Sequence, residues 1–150
     1  MSAIPLHTSL AATLRGGGLG ICMIVKQMRT VDIAVAAKSC GFDAIYVDLE
    51  HSVIPEEAAA QICVAALSIG ITPLVRVPSH DPYYAARILD AGALGVVVPH
   101  VNTAEAARAI VSACKFAPLG NARWRATGRI WVTAAIRRTR CGAPSTPRPW

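Results

Sequence analysis

The feature that most constrains the fold is an alternation of short apolar segments with longer helical patterns, repeated four times between residues 19 and 114. Each unit takes about 25 residues, and this alternation predicts parallel strands joined by crossover helices. Near-continuous apolar runs are typical of strands covered on both faces. The sequence therefore predicts an α/β fold, and periodicity alone leaves open whether the sheet is doubly wound or part of a closed barrel. The predicted strands are residues 19–25, 44–49, 72–77 and 95–98.

The helix boundaries are marked by residues that favour the ends of helices. Side-chain oxygens suit N-cap positions, and proline followed by acids suits a first turn. Glycine is favoured just beyond the last turn. The predicted helix starts are Thr30, Pro55, Asp81 and Thr103, the predicted stops of the first three helices are Gly41, Gly70 and Gly92, and the fourth helix is predicted to run through Cys114.

The charge of the chain is divided unevenly along its length. The formal net charge is +6, yet all nine acidic residues lie at or before Glu105. Residues 1–116 carry eight Lys and Arg against those nine acids, a net charge of −1, whereas residues 117–150 carry seven arginines and all three tryptophans. A basic, aromatic tail suits phosphate contact and base stacking. Because the charge is confined to that tail, we expect no nucleic-acid partner.

Composition also limits the domain organisation. We expect a leader over residues 1–14, one barrel-type domain of about four βα units over 15–121, and a basic tail over 122–150. No apolar run approaches the roughly 18 residues of a membrane span, and the leader lacks the pattern of a signal peptide. The five cysteines form no Cys-x-x-Cys pair, which favours reduced thiols and a cytoplasmic location.

Several residues that can carry charge or protons lie at the ends of predicted strands. His51 follows the second strand directly and is a candidate general base, or a surface histidine. Asp48 and Glu50 can be metal ligands, acceptors for an imidazole or helix-capping acids. Arg76 ends the third strand, where a guanidinium can hold a carboxylate or an oxyanion, or pair structurally with an acid. No glycine-rich phosphate loop lies at a strand-to-helix turn, so nucleotide binding is not predicted.

Further candidates lie later in the chain. Asp90 is close to the carboxyl end of a helix, where the helix dipole disfavours an acid, so a partner elsewhere is expected. Pro99 and His100 end the fourth strand. His80 and His100 are the weaker histidine candidates.

The ordered set of these segments resembles the HpcH/HpaI aldolase and citrate-lyase-like family, which includes 4-hydroxy-2-oxoheptanedioate aldolase, aldolases of 2-keto-3-deoxy sugar acids and macrophomate synthase. The resemblance covers about residues 15–120. It implies a modified (β/α)8 barrel of the TIM type. By this resemblance the chain holds the N-terminal half of the barrel and is truncated. The matching segments are residues 41–51 (Gly-Phe-Asp-Ala-Ile-Tyr-Val-Asp-Leu-Glu-His), 73–78 (Pro-Leu-Val-Arg-Val-Pro), 81–82, 88–92 and 95–99.

The resemblance implies a metal-dependent carbon–carbon lyase that cleaves or forms 4-hydroxy-2-oxo acids through a pyruvate enolate. His51 would act on the aldol hydroxyl and Arg76 would hold the pyruvate oxygens, with Pro99 also at the substrate. Asp90 would orient the histidine of a neighbouring subunit in a homo-oligomer. Glu50 would lie near water bound to Mg²⁺, Mn²⁺ or Co²⁺. Pyruvate or another 2-oxo acid and an aldehyde are the implied partners.

The chain departs from the family pattern in its second half. The family's direct metal ligands are a Glu and an Asp on the fifth and sixth strands, and no acid follows Glu105 here. Direct metal ligands are therefore expected to be absent, and residues beyond about 121 suggest a shifted reading frame or a genuine divergent tail. The alternative function is a catalytically inactive fragment, or an interaction subunit of such an aldolase.

Overall fold

The computed structural model describes residues 9–122, which form a four-stranded sheet and five helices in alternation. The predicted βα alternation is confirmed over this range. The elements are α1 (Ser9–Arg15), β1 (Cys22–Val25), α2 (Asp32–Ser39), β2 (Ala44–Asp48), α3 (Glu56–Ser68), β3 (Thr72–Arg76), α4 (Pro82–Asp90), β4 (Gly95–Val97) and α5 (Ala104–Cys114).

The sheet is parallel throughout, and its strands lie in the order in which they occur along the chain, β1-β2-β3-β4. The register pairs Val25 with Val47, Val47 with Val75, and Asp48 with Arg76. Because every strand runs in the same direction, the carboxyl ends of all four meet at one edge of the sheet. The charged residues predicted at strand ends are thereby brought to that common edge.

One face of the sheet packs against the helices and forms the core. Ile45, Val47 and Val75 are fully buried there together with Ile62 and Cys63 of α3. Burial in this apolar layer raises the pKa of the Cys63 thiol to about 12, so the thiol stays protonated at neutral pH. Helices therefore cover every second residue of the strands, on this one face of the sheet.

The opposite face of the sheet is less covered by the described residues. Ile24 of β1 is 63% exposed and Val97 of β4 is 40% exposed, and both lie on this second face. Tyr46 and Leu74, on the two inner strands, are only partly buried. The alternation of side chains along each strand places Asp48 and Arg76 on this same face.

The glycines predicted to end the first three helices do so in the same way. Gly41, Gly70 and Gly92 follow α2, α3 and α4 with φ angles of +83°, +72° and +107°, which glycine adopts without steric cost. In each case the next residue donates its backbone N–H to a carbonyl five positions earlier, as from Phe42 to Ala37 at 3.1 Å. This is the Schellman arrangement, so the sequence predicted these ends correctly.

The predicted helix starts are confirmed in part. The Asp81 side chain accepts the N–H of Tyr83 at 2.9 Å, and Thr103 Oγ1 accepts the N–H of Ala106 at 3.1 Å. Thr30 as an N-cap is wrong, because α2 begins at Asp32 with Val31 as its N-cap and without a side-chain cap. The Thr30 carbonyl instead accepts the N–H of Ile33 in a turn that precedes the helix.

Two further differences lie at the ends of the described range. Helix α1 (Ser9–Arg15) falls mostly within the predicted leader, where no element was predicted, and β1 is shorter than the predicted strand over 19–25. Nearly all of the predicted basic tail lies outside the described residues. None of the helices within residues 9–122 is long and apolar enough to cross a membrane.

Candidate active site

The candidate site is built on Asp48 and Arg76, the last residues of two neighbouring strands. The Asp48 side chain is fully buried, and its carboxylate accepts two hydrogen bonds from the guanidinium: Arg76 Nε to Oδ1 at 2.9 Å and Nη2 to Oδ2 at 2.6 Å. Such a two-point pairing fixes the plane of the guanidinium as well as its position. The sequence analysis weighed several roles for Asp48 and assigned it none, and register is what pairs it with Arg76.

The same carboxylate also holds the loop that follows β2. Asp48 Oδ1 accepts the backbone N–H groups of Glu50 and His51, each at 3.1 Å. The hydrogen bonds from Arg76, followed by those from the two backbone amides, keep the pKa of Asp48 well below its ordinary value against the opposing effect of burial. In return, the hydrogen bonds to Asp48 raise the pKa of Arg76. One buried anion therefore positions two of the candidate catalytic residues, His51 and Arg76.

Glu50 lies between Arg76 and two histidines. Its Oε2 is 3.0 Å from Arg76 Nη1 and 3.6 Å from His51 Nε2, and its Oε1 is 2.9 Å from His100 Nε2. The Glu50 side chain is 9% exposed, whereas those of His51 and His100 are 60% and 73% exposed. The two imidazoles therefore lie on the solvent-exposed side of the site, and the Glu50 carboxylate lies beneath them.

His100 has a backbone conformation that non-glycine residues seldom adopt, with φ of +56°. His100 follows Pro99, which lies two residues beyond the end of β4, and the ring of His100 contacts Glu50. From the sequence His100 is a weak candidate, because its positive φ and its contact with Glu50 depend on the fold. The local signal for it is a histidine three residues after the end of an apolar strand.

The remaining predicted site residues are placed less closely. Pro99 is half-buried beside His100, and His80 is exposed in the loop between β3 and α4. Asp90 is the last residue of α4 and is exposed, and among residues 9–122 it makes no ion pair. Its expected role toward a neighbouring subunit stays a prediction.

The donor set in this part of the chain does not fit a divalent cation. No group of three or more His, Cys, Asp or Glu side chains within residues 9–122 is arranged to hold a metal. Both Glu50 oxygens contact cationic or imidazole nitrogens, and the Asp48 oxygens accept hydrogen bonds from Arg76.

The lowered pKa of Asp48 predicts how the free energy of unfolding depends on pH. The carboxylate contributes stability in full above its unfolded pKa of about 3.9, and this contribution is lost as the pH falls below that value toward the folded pKa. We expect the free energy of unfolding in urea to fall more steeply between about pH 5 and pH 3 in the wild type than in Asp48→Asn. Parallel losses in the two proteins would assign the acid sensitivity to other groups.

Comparison with known proteins supplies the family. The profile of the HpcH/HpaI aldolase/citrate lyase family matches residues 25–141, which is more than half of the chain. The chain belongs to the HpcH/HpaI aldolase/citrate lyase family. The match runs beyond residue 121, where the sequence analysis placed the end of the domain, and that boundary stays a prediction.

Members of the HpcH/HpaI family also resemble the chain individually. The 4-hydroxy-4-methyl-2-oxoglutarate aldolase of Hapsidospora irregularis is 43% identical over 68% of this chain and 37% of its own length. The solved HpcH/HpaI aldolase of Desulfitobacterium hafniense is 30% identical with a TM-score of 0.71, over 80% of this chain and 45% of its own. Macrophomate synthase is 26% identical with a TM-score of 0.63, over 77% and 40%.

These coverages confirm the predicted fold class. The parallel βα units correspond to less than half of each of these two solved barrel-type chains. Against the curated relative from Hapsidospora irregularis, the chain spans about two-fifths of the length. The predicted half of a (β/α)8 barrel is therefore the observed architecture of the described residues.

Proposed function

We propose that the site serves aldol chemistry, the cleavage or formation of 4-hydroxy-2-oxo acids through a pyruvate enolate. The observation that supports this most is the fixed placement of Arg76 and the loop bearing His51 by the single carboxylate of Asp48. Membership in the aldolase family gives the reaction class. Preorganised positive charge beside a general base is what an enolate-forming cleavage requires.

In the cleavage direction His51 takes the proton of the C4 hydroxyl. The C4 oxygen then forms the aldehyde carbonyl as the C3–C4 bond breaks, and the bonding electrons pass to the pyruvyl fragment as its enolate. Arg76 stabilises the oxygen on which that negative charge develops. Protonation of the enolate at C3 completes pyruvate, and condensation follows the reverse order.

The other inferences from the resemblance belong to this proposal. A divalent cation, Mg²⁺, Mn²⁺ or Co²⁺, would supply Lewis-acid assistance in the family's reaction, but the direct ligands expected for it, a Glu and an Asp, are absent from this chain, which has no acid after Glu105. Asp90 acts across a subunit boundary in a homo-oligomer, Pro99 contacts the substrate, and the protein is cytoplasmic.

The test is release of pyruvate by the purified chain from a panel of 4-hydroxy-2-oxo acids. Pyruvate is coupled to a dehydrogenase, in the presence of Mg²⁺, Mn²⁺ or Co²⁺. We expect release that falls about a hundredfold or more in His51→Ala, because a general base contributes on that order. His80→Ala is the matched control, because His80 is an exposed histidine outside the cluster.

If His51→Ala released pyruvate as fast as the wild type, His51 would not be the group that takes the proton. Absence of release with every cation would favour a second candidate, a family member without activity of its own that associates with an active aldolase. The absence of a metal-binding group within residues 9–122 supports that candidate.

A further inference from the structure

We propose that the sheet of this chain is the docking surface for a second copy of it, and that two copies close one eight-stranded barrel through the edges of β1 and β4. The inference is independent of the proposed reaction. It also concerns a different surface from the expected role of Asp90, which lies at the end of α4 and not on the sheet.

The strand order puts the crossover helices on a single face of the sheet. A doubly wound sheet reverses its strand order, which sends crossovers to both faces. The order β1-β2-β3-β4 contains no reversal over residues 9–122, so right-handed crossovers all lie on the same side. The core agrees with this, because Val47 and Val75 pack with Ile62 of α3. The crossover helices therefore leave the second face of the sheet open.

That open face carries apolar side chains in a row across the sheet. Register and side-chain alternation place Ile24, Tyr46 and Leu74 level with one another on β1, β2 and β3. Leu74 extends over Gly95 of β4, where an added Cβ would lie 2.8 Å from Leu74 Cδ2. Ile24 is 63% exposed, and Val97 of β4 is 40% exposed. Contiguous apolar surface of this kind marks an interaction site.

Both edges of the sheet are also free in the part of the chain that the structure describes. There, β1 pairs only with β2, and β4 pairs only with β3. An unpaired strand edge presents a row of N–H and C=O groups that can bind another strand. A partner that fits this surface therefore brings a strand for each edge and apolar side chains for the face between them.

A second copy of this chain meets these requirements. A barrel whose interior is just filled by side chains takes about eight strands, twice the four found here. Rotation by half a turn about the barrel axis keeps all strands parallel and sets β4 of each copy beside β1 of the other. Both edges are then paired, and the assembly closes at two chains. A relative with a complete barrel does not fit, because a closed barrel has no free edge.

The area of the contact is that of a stable dimer. Four strands about 4.8 Å apart and about four residues long give the open face an area of about 250 Å². Each flank consists of an edge strand and the helix layer behind it, and adds about as much again. The total of about 750 Å² for each copy is close to the roughly 800 Å² that each partner buries in a specific interface.

Closure brings two copies of the candidate site to a common opening. Asp48 and Arg76 lie on the open face at the carboxyl edge of the sheet. The carboxyl ends of all strands in a closed parallel barrel surround one mouth. The four strands of the second copy then form the wall opposite each pair of Asp48 and Arg76.

The test is sedimentation equilibrium of the full chain over a range of concentrations, for the wild type, Ile24→Lys and Val97→Lys. We expect a wild-type dimer that dissociates on dilution. Each substitution should raise the dissociation constant of the dimer about a hundredfold or more, because it places two unpaired ammonium groups in an apolar interior. Both side chains are exposed in the single chain, so circular dichroism should show that the variants are folded.

Val64→Lys is the matched control, because Val64 is 44% exposed on α3, in the helix layer behind the two inner strands. It should dimerise like the wild type. Deuterium exchange identifies the contact, since amides of β1 and β4 should exchange more slowly in the wild-type dimer than in Ile24→Lys. If either lysine variant is unfolded, concentrated and diluted wild type are compared in its place.

Three results would each overturn the inference. They are a wild type that is monomeric at every concentration, an assembly that grows beyond two chains, and a dimer that Ile24→Lys and Val97→Lys both leave intact. Pyruvate release is not measured in this experiment, so its outcome and that of the proposed function are separate.

Discussion

Replacing Asp48 by alanine is expected to lower the free energy of unfolding by about 3 kcal/mol. Removing one partner of a buried ion pair is strongly destabilising, because the remaining polar groups keep their desolvation cost without compensation. Here the loss leaves the Arg76 guanidinium and the backbone N–H groups of Glu50 and His51 without their acceptor. Urea denaturation followed by circular dichroism measures the change.

The control for this prediction is Asp32→Ala. Asp32 is exposed in the first turn of α2, so its loss should change the free energy of unfolding by less than about 1 kcal/mol. A loss in Asp48→Ala no larger than that of the control would mean that the pairing contributes little to stability. Backbone hydrogen bonds such as that from the Leu49 N–H to the Arg76 carbonyl would then hold the strand ends.

Replacing Arg76 by methionine is expected to lower the proposed aldolase activity of each folded molecule about a thousandfold. The methionine side chain keeps much of the apolar stem and loses the positive charge at which the enolate oxygen is stabilised. Removing one preorganised donor to a developing oxyanion costs a hundredfold to a thousandfold in other enzymes, about the range expected here. The rate of pyruvate release per folded molecule is the measurement.

Arg76→Lys separates charge from geometry. Lysine retains the charge but cannot make the paired bonds to Asp48 Oδ1 and Oδ2, so we expect it to restore little activity. Arg108→Met is the matched control, because the side chain of Arg108 is 75% exposed and pairs with Glu105 on the surface of α5. An Arg76→Lys protein with near-normal rates would show that the fork of hydrogen bonds is not needed for catalysis.

Much of the fold could be predicted because its determinants are local. Gly41, Gly70 and Gly92 end helices since only glycine readily takes the positive φ at that position, and this requirement is legible in the sequence. Asp81 and Thr103 cap helices through their own side chains. Thr30 was predicted wrongly because a competing turn uses its carbonyl, and a sequence pattern does not reveal which of two local hydrogen bonds forms.

The site could be predicted only as a set of residues at strand ends. His51, Arg76 and Glu50 stood out because polar residues follow apolar strands, and the structure brings these three together. The pairing of Asp48 with Arg76, the contact of Lys26 with Asp48 and the contact of His100 with Glu50 join residues 28, 22 and 50 positions apart in the chain, so all three depend on the register between strands. That register is fixed by packing of the whole sheet, so no single segment encodes it.

The sequential strand order has a consequence for how the site moves. Each strand contacts only its neighbours along the chain, so opening can begin at either outer strand, β1 or β4, while the inner pair stays closed. Backbone amides of β2 and β3 should then exchange with solvent deuterium more slowly than those of the outer strands. Asp48 and Arg76 lie on that slow inner pair, whereas Lys26 and His100 follow the outer strands. The ion pair of Asp48 and Arg76 is therefore expected to stay formed longest. Lys26 and His100 belong to segments that are expected to open first.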